Sequence, residues 1–210
     1  MTLPAAVLSF AVVAGLLTII PGLDTALVLR AAISQGRKQA FATALGISTG
    51  ALAWGAGAAV GVSALLTAST IAYTGVRIAG AAYLIWLGSK MLWSAVRGRG
   101  GISSVGAAVA PSAWRSWQRG LLTNLLNPKI GAFYVAVLPQ FIPANTSHLA
   151  VGVLLALVHD LEGMLWFTAI IFTARAARRV LARRSAQRAV DGGTGTVLLG
   201  FGLKLSLSAR

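Results

Sequence analysis

Six apolar stretches dominate this chain, at roughly 3–30, 41–66, 71–94, 119–142, 149–174 and 192–208. A helix rises about 1.5 Å per residue, so about 20 apolar residues cross the hydrocarbon of a bilayer. Lipid offers no partner to a bare backbone group, so spans of this composition must close their hydrogen bonds internally, as helices do. The expected fold is an all-α integral membrane protein with six transmembrane helices in one transmembrane domain, 1–210. Of its 210 residues 57% are hydrophobic and 10% charged, and mean hydropathy is +0.79. That is too few charges to clothe a water-soluble domain.

The net charge of +14 would suit nucleic acid, but its distribution does not. The basic residues lie in short runs between the spans. Loop one carries Arg30, Arg37 and Lys38. Loop three carries Lys90, Arg97, Arg99, Arg115 and Arg119. Loop five carries Arg175, Arg178, Arg179, Arg183, Arg184 and Arg188. Loops two (67–70) and four (143–148) carry none. Cytoplasmic loops concentrate Lys and Arg, so loops one, three and five are expected inside and both termini outside. The partner implied is the lipid bilayer, with no nucleic acid. The chain has no cysteine, which removes disulfides and thiolate metal sites. No removable signal peptide is expected, since the N-terminus lacks a basic n-region. Loop three is Gly/Ser/Ala-rich until Trp114. There Trp114 and Trp117, beside Arg115 and Arg119, suit a helix anchored in the headgroups.

The two halves resemble one another. "GLLT" occurs at 15–18 and 120–123, followed by "PGLD" at 21–24 and "NPK" at 127–129. "AGAAYLIWLGSK" (79–90) resembles "TGTVLLGFGLK" (194–204) with one gap. Each half has three spans, so the second copy runs oppositely through the membrane. The expected repeats are about 1–94 and 119–210, joined by a cytoplasmic loop of about 95–118. An inverted 3+3 repeat with proline-broken first and fourth helices is a design of secondary transporters. Arg30 lies nine residues after Pro21, and Arg119 nine before Pro128. If both arginines mark the cytoplasmic boundary, both breaks lie roughly 13 Å inside it, near the midplane.

Only four acidic residues exist: Asp24, Asp160, Glu162 and Asp191. Asp24 follows the break at Pro21 and Gly22, in the first turn of a half-helix whose N-terminal end is partially positive. It reads either as a structural cap or as an ion or substrate group, the usual meaning of a carboxylate at such depth. Asn124 and Asn127 stand three apart before Pro128. They either replace backbone bonds lost at the proline or offer donors to a carboxylate. Lys129 is read as counter-charge to Asp24 or as a cavity lining.

In span five His159 and Glu162, at i and i+3, share a face, and Asp160 points elsewhere. They read as a proton relay, a substrate contact or interhelical bonds, and Glu162 is expected to matter more than Asp160. One His-x-x-Glu without further ligands does not make a metal site, so neither metal nor cofactor is expected. "GISTG" (46–50) and the pair Gly57 and Gly61 read as close helix packing. The sharper reading, a Ser48 nucleophile with His159 as in an intramembrane serine protease, lacks an oxyanion hole and explains neither break nor repeat. Trp86, Trp93, Trp166, Tyr73 and Tyr134 read as interface or packing aromatics.

With these residues in place, the chain resembles the lysine exporter (LysE) family, in particular its homoserine/threonine-resistance (RhtB) branch. The resemblance runs nearly end to end. It is carried by "PGLD" with 26–50, "AGAAYLIWLGSKML" (79–92), "GLLTNLLNPKIGAFYVAVLPQF" (120–141) and "GFGLKLSLS" (200–208). In that family the first motif is usually Pro-Gly-Pro-Asp. Here Leu23 replaces the second proline, while Asp24 remains. The resemblance implies proton-driven export of amino acids or close derivatives across the bacterial cytoplasmic (inner) membrane. It maps the family's elements onto Pro21, Gly22 and Asp24, and onto Asn127, Pro128 and Lys129. Members export basic, neutral aliphatic, hydroxy or sulfur amino acids, and a few relatives handle metal cations, which keeps cation export as the alternative. No enzymatic activity is expected. The partners implied are a small amino-acid substrate and protons, with homo-oligomerisation left open.

Overall fold

The computed structural model describes residues 1–20, 22–68 and 111–174, with scattered helical positions between 74 and 97 and between 176 and 206. Pro21, most of the expected spans 71–94 and 192–208, and loop residues 98–110 lie outside the described residues. The described elements are α1 (Leu3–Ile19), α2 (Leu23–Ser34), α3 (Arg37–Ala68), α4 (Ala113–Leu125), α5 (Pro128–Ala136), a 3-10 turn (Leu138–Phe141) and α6 (His148–Phe172). No strand occurs among the described residues.

Two stretches, Arg37–Gly61 and His148–Phe172, are each long and apolar enough to cross a membrane as one helix. Two further spans qualify only as bent pairs, α1 with α2 at 54° and α4 with Pro128–Phe141 at 56°. Both pairs sit where the sequence places a first and a fourth span. The second break has a local cause. Pro128 has no N–H and stands at the first position of α5, where none is needed, and the Asn127 side chain accepts from Lys129 N at 3.1 Å to cap that helix. Gly36, at φ 97°, lets the chain reverse between α2 and α3.

α4 begins at Ala113 with the Ser112 hydroxyl accepting from Arg115 N. Trp114 and Trp117 are thus the first turns of the fourth span itself, their rings stacked 4.7 Å apart. They do not form a separate surface helix. In the expected third span, Arg97 lies 4.0 Å from the Trp93 ring centre and Lys90 lies 5.1 Å from that of Trp86. Cation and aromatic together are the usual furniture of a membrane boundary.

α3 is the central post. It touches α4 so closely that a Cβ at Gly46 would overlap the Trp117 carbonyl oxygen, and one at Gly120 the Thr43 carbonyl oxygen. Against α6 it meets Gly152 through Gly55 and Ala59, where an added Cβ at Gly152 would lie 2.5 Å from that of Ala59. The "GISTG" glycines do bring helices together, as their spacing suggested. Gly57 and Gly61 do not: a Cβ on either meets nothing within 4 Å. One apolar cluster joins α1, α3, α5 and α6 around Phe10, Phe133, Tyr134 and Leu155. Another joins α2, α3 and α6 around Val28, Ile47 and Phe167.

Candidate functional site

Between the two clusters, at the level of both breaks, lies a cavity of about 50 Å³. Six helices line it. α1 and the segment after it contribute Thr18, Ile20 and Gly22, and α2 contributes Asp24 and Thr25. Ser48 comes from α3, Asn124 from α4 with Asn127 at its junction to α5, and Lys129 from α5. His159 and Asp160 come from α6. Three segments remote in sequence thus deliver Asp24, Lys129, His159 and Asp160 to one place. Nothing but a shared task or a shared need for partners makes such groups converge in hydrocarbon.

Asp24 is 8% exposed, and its Oδ2 accepts from Asn124 Nδ2 at 3.0 Å. It occupies the second position of α2, whose N-cap is Gly22, and no side chain caps that helix end. Asp24 is therefore held by another helix and does not close its own. Asn127, the cap of α5, also lies within reach of the Asp24 carboxyl. Asn124, 1% exposed, is pinned on both sides. Its backbone oxygen accepts from Trp54 Nε1 at 3.4 Å, and its side chain rests on Gly50, where a Cβ would come within 2.7 Å of Oδ1.

Lys129 Nζ donates to the Ile20 carbonyl oxygen at 3.3 Å and passes over Gly22. It thereby satisfies a carbonyl freed where α1 ends, and it ties the second break to the first. Lys129 lines the cavity alongside Asp24, with its ammonium bonded to that carbonyl.

α6 presents a different face from the expected one. His159 and Asp160 both line the cavity, and the Ser48 hydroxyl lies against the Asp160 carboxyl. Glu162 is not among the lining residues; it turns toward α1, where a Cβ on Gly15 would stand 3.5 Å from its Oε1. Consecutive residues differ by about 100° around a helix, and the cavity spans enough of α6 to take both 159 and 160. His159 Nδ1 lies 3.0 Å from the hydroxyl of Tyr134, which is 0% exposed. Tyr134 is thus a buried polar partner rather than an interface aromatic. Its only sequence signal was a position two turns beyond a break. Ser48 therefore stands against an acid, while His159 is engaged by Tyr134.

Four buried polar atoms on the cavity wall have no hydrogen-bond partner: Thr18 Oγ1, Asp24 Oδ1, Asn124 Oδ1 and Asp160 Oδ2. All four accept; the threonine hydroxyl can also donate, as can a carboxyl once protonated. Beside the Lys129 ammonium, these atoms of the wall are thus open to a donor group. No cluster of three or more His, Cys, Asp or Glu residues fit to hold a metal occurs among the described residues.

The comparisons with known proteins agree on one family. The LysE type translocator profile matches residues 6–209. The chain is 33% identical to the uncharacterized membrane protein YrhP of Bacillus subtilis over 206 residues, 96% of this chain and 98% of that one. It is 32% identical to the threonine efflux protein of Salmonella typhi over 190 residues, 90% and 91% of the two chains. It is also 30% identical to the leucine efflux protein of an Enterobacter species over 205 residues, 94% and 93% of the two. No solved structure matches. With a profile that spans almost the whole chain, and relatives alike from end to end, this protein belongs to the LysE family of membrane translocators.

Proposed function

We propose that the protein exports amino acids or close derivatives from the cytoplasm, coupled to proton influx, across the cytoplasmic membrane. In this reading it is an inverted 3+3 repeat whose first and fourth spans are broken at Pro21 and Pro128, with both termini outside. Asp24 receives the substrate ammonium or the proton. The half-helix ends after the breaks, with Gly22, Asn124 and Asn127, face the carboxylate, and Lys129 holds the two breaks together. His159 and Asp160 line the route, and Glu162 lies beside it.

The observation that carries this reading is the wall of unpartnered acceptors. An ammonium group brings three donors, and its charge matches Asp24 and Asp160. A cavity of about 50 Å³ takes roughly four water-sized groups, the scale of an amino-acid backbone. Two bends of matching angle, 54° and 56°, support a site between repeats. Relatives named for threonine and leucine efflux support the substrate class.

The test is an efflux screen over the amino acids in cells overexpressing the protein, with Asp24→Asn as the control. Export of one or more amino acids above that control, abolished by an uncoupler, is expected; an empty screen would refute the reading. The same acceptors would suit a bare cation, which keeps cation export as the second reading. A melting temperature raised by a metal ion but by no amino acid would favour it, because a ligand that binds only the folded state stabilises that state.

A further inference from the structure

A second, larger cavity of about 440 Å³ opens between α2, α3 and α4, on the arginine-bearing side of the first. Both are lined from α2 and α4. Leu27, which lines the second, is one turn beyond Asp24, and Thr123, also lining it, immediately precedes Asn124. The Asp24–Asn124 hydrogen bond thus lies next in sequence, on both helices, to residues of the second cavity.

The character of the second cavity is opposite to that of the first. Its wall carries Arg30 and Arg119 with Gln35, Thr43, Ser116 and Thr123, and no acidic side chain. Ser116 is 1% exposed, and its hydroxyl, without a partner, belongs to this wall. Thr43 spends its hydroxyl proton on the Gln39 carbonyl oxygen at 2.8 Å, which leaves its lone pairs inward and the donor work to Ser116, Gln35 and the guanidinium groups. Arginine's planar fork matches a carboxylate two bonds at a time.

We propose that this cavity is an intake site that captures the carboxylate of the outgoing solute before its ammonium reaches Asp24. This inference rests on the transport reading above. The Arg30 and Arg119 guanidinium groups hold the carboxylate, with the Ser116 hydroxyl as a further donor. The order of charges, guanidinium first and carboxylate beyond, orients a zwitterion with its ammonium leading. A solute lacking either charge is held at one end only.

The native chain has no cysteine, so Thr123→Cys places a single thiol in the wall. The thiol is titrated in inside-out vesicles with anionic methanethiosulfonate ethylsulfonate and cationic methanethiosulfonate ethyltrimethylammonium. With both arginines present, the anionic reagent should be favoured by about tenfold relative to an Arg30→Gln, Arg119→Gln background. L-threonine or L-leucine should slow modification, while their amides, which lack the carboxylate, should not. A reagent ratio unchanged by the arginine substitutions overturns the proposal. So does modification slowed by phosphatidylglycerol in the bilayer and indifferent to both amino acids, which would assign the arginines to lipid phosphate. A wild-type protein that moves no amino acid fails the transport reading yet leaves the reagent ratio to be read. Intact transport with an unchanged ratio fails the intake site alone.

Discussion

Replacing Asp24 by Asn removes a charge while keeping the volume and one acceptor oxygen. Asn124 Nδ2 donates to Asp24 Oδ2 at 3.0 Å, and an amide oxygen can take the same bond. A bond to a charged acceptor is worth about 1 kcal/mol more than one to a neutral acceptor. Removing a buried charge offsets that loss, because the carboxylate no longer has to leave water. The fold should therefore change by less than about 1 kcal/mol. Ala differs: it strands Asn124 Nδ2 on a residue already 1% exposed, whose Oδ1 is itself without a partner. An unpaired buried donor costs about 1–3 kcal/mol. Transport should respond the other way round. Losing an ammonium–carboxylate bond forfeits about 1.5–3 kcal/mol, or about 10- to 150-fold in substrate engagement, and any proton carried at this site is lost with it. The assay is efflux of the identified substrate at matched protein levels, with melting temperature in detergent alongside. Asn should melt like wild type and fail to transport. If Asn transports at the wild-type rate while Ala fails and melts early, Asp24 is only a structural bond, and the site has to be sought at Asn127 and Asp160.

Asp160→Asn should depress efflux more than Glu162→Gln at equal expression, since only Asp160 lines the cavity; equal, near-normal rates would demote both. Gly120→Ala should lower stability by about 1–3 kcal/mol, because a methyl there meets the Thr43 backbone, while Gly57→Ala should stay within about 1 kcal/mol of wild type. Denaturation in detergent reads both, and an equal effect would refute the close contact. Single cysteines at Ser69 and Ser147 should react with an impermeant thiol reagent outside intact cells, and those at Ser104 and Ser185 should not; the reverse pattern would invert the orientation.

Much of this was legible because membrane constraints are local. Hydropathy located the described apolar helices to within a few residues. Asp24 drew notice simply as an acid among apolar residues, and Asn124 as an amide near a break. The face of α6 was not legible. Spacing alone pairs His159 with Glu162, but which side of α6 meets the cavity is set by how Gly152 seats on Gly55 and Ala59, a contact about 100 residues away in sequence. Tyr134 was missed for the same reason: an aromatic in an apolar run looks the same whether its hydroxyl meets headgroups or a buried imidazole. The Ser48 carried by "GISTG" was noticed for the wrong property, since its neighbour is an acid rather than a base.

The contact between α3 and α4 limits what this molecule can do mechanically. Interlocked side chains let helices slide, because rotamers swap and the surfaces mesh again one step along. At Gly46 and Gly120 the meeting surfaces are peptide groups, which have no rotamers to change. The long post and α4 must then travel as one solid piece, carrying Ser48 and Asn124 with them. Any swing that opens the interior to one side and then the other is left to the junction at 126–127 and to the Lys129–Ile20 bond that ties α5 to the end of α1. Stiffening a joint should slow turnover, whereas a change inside the solid piece should show first as lost stability.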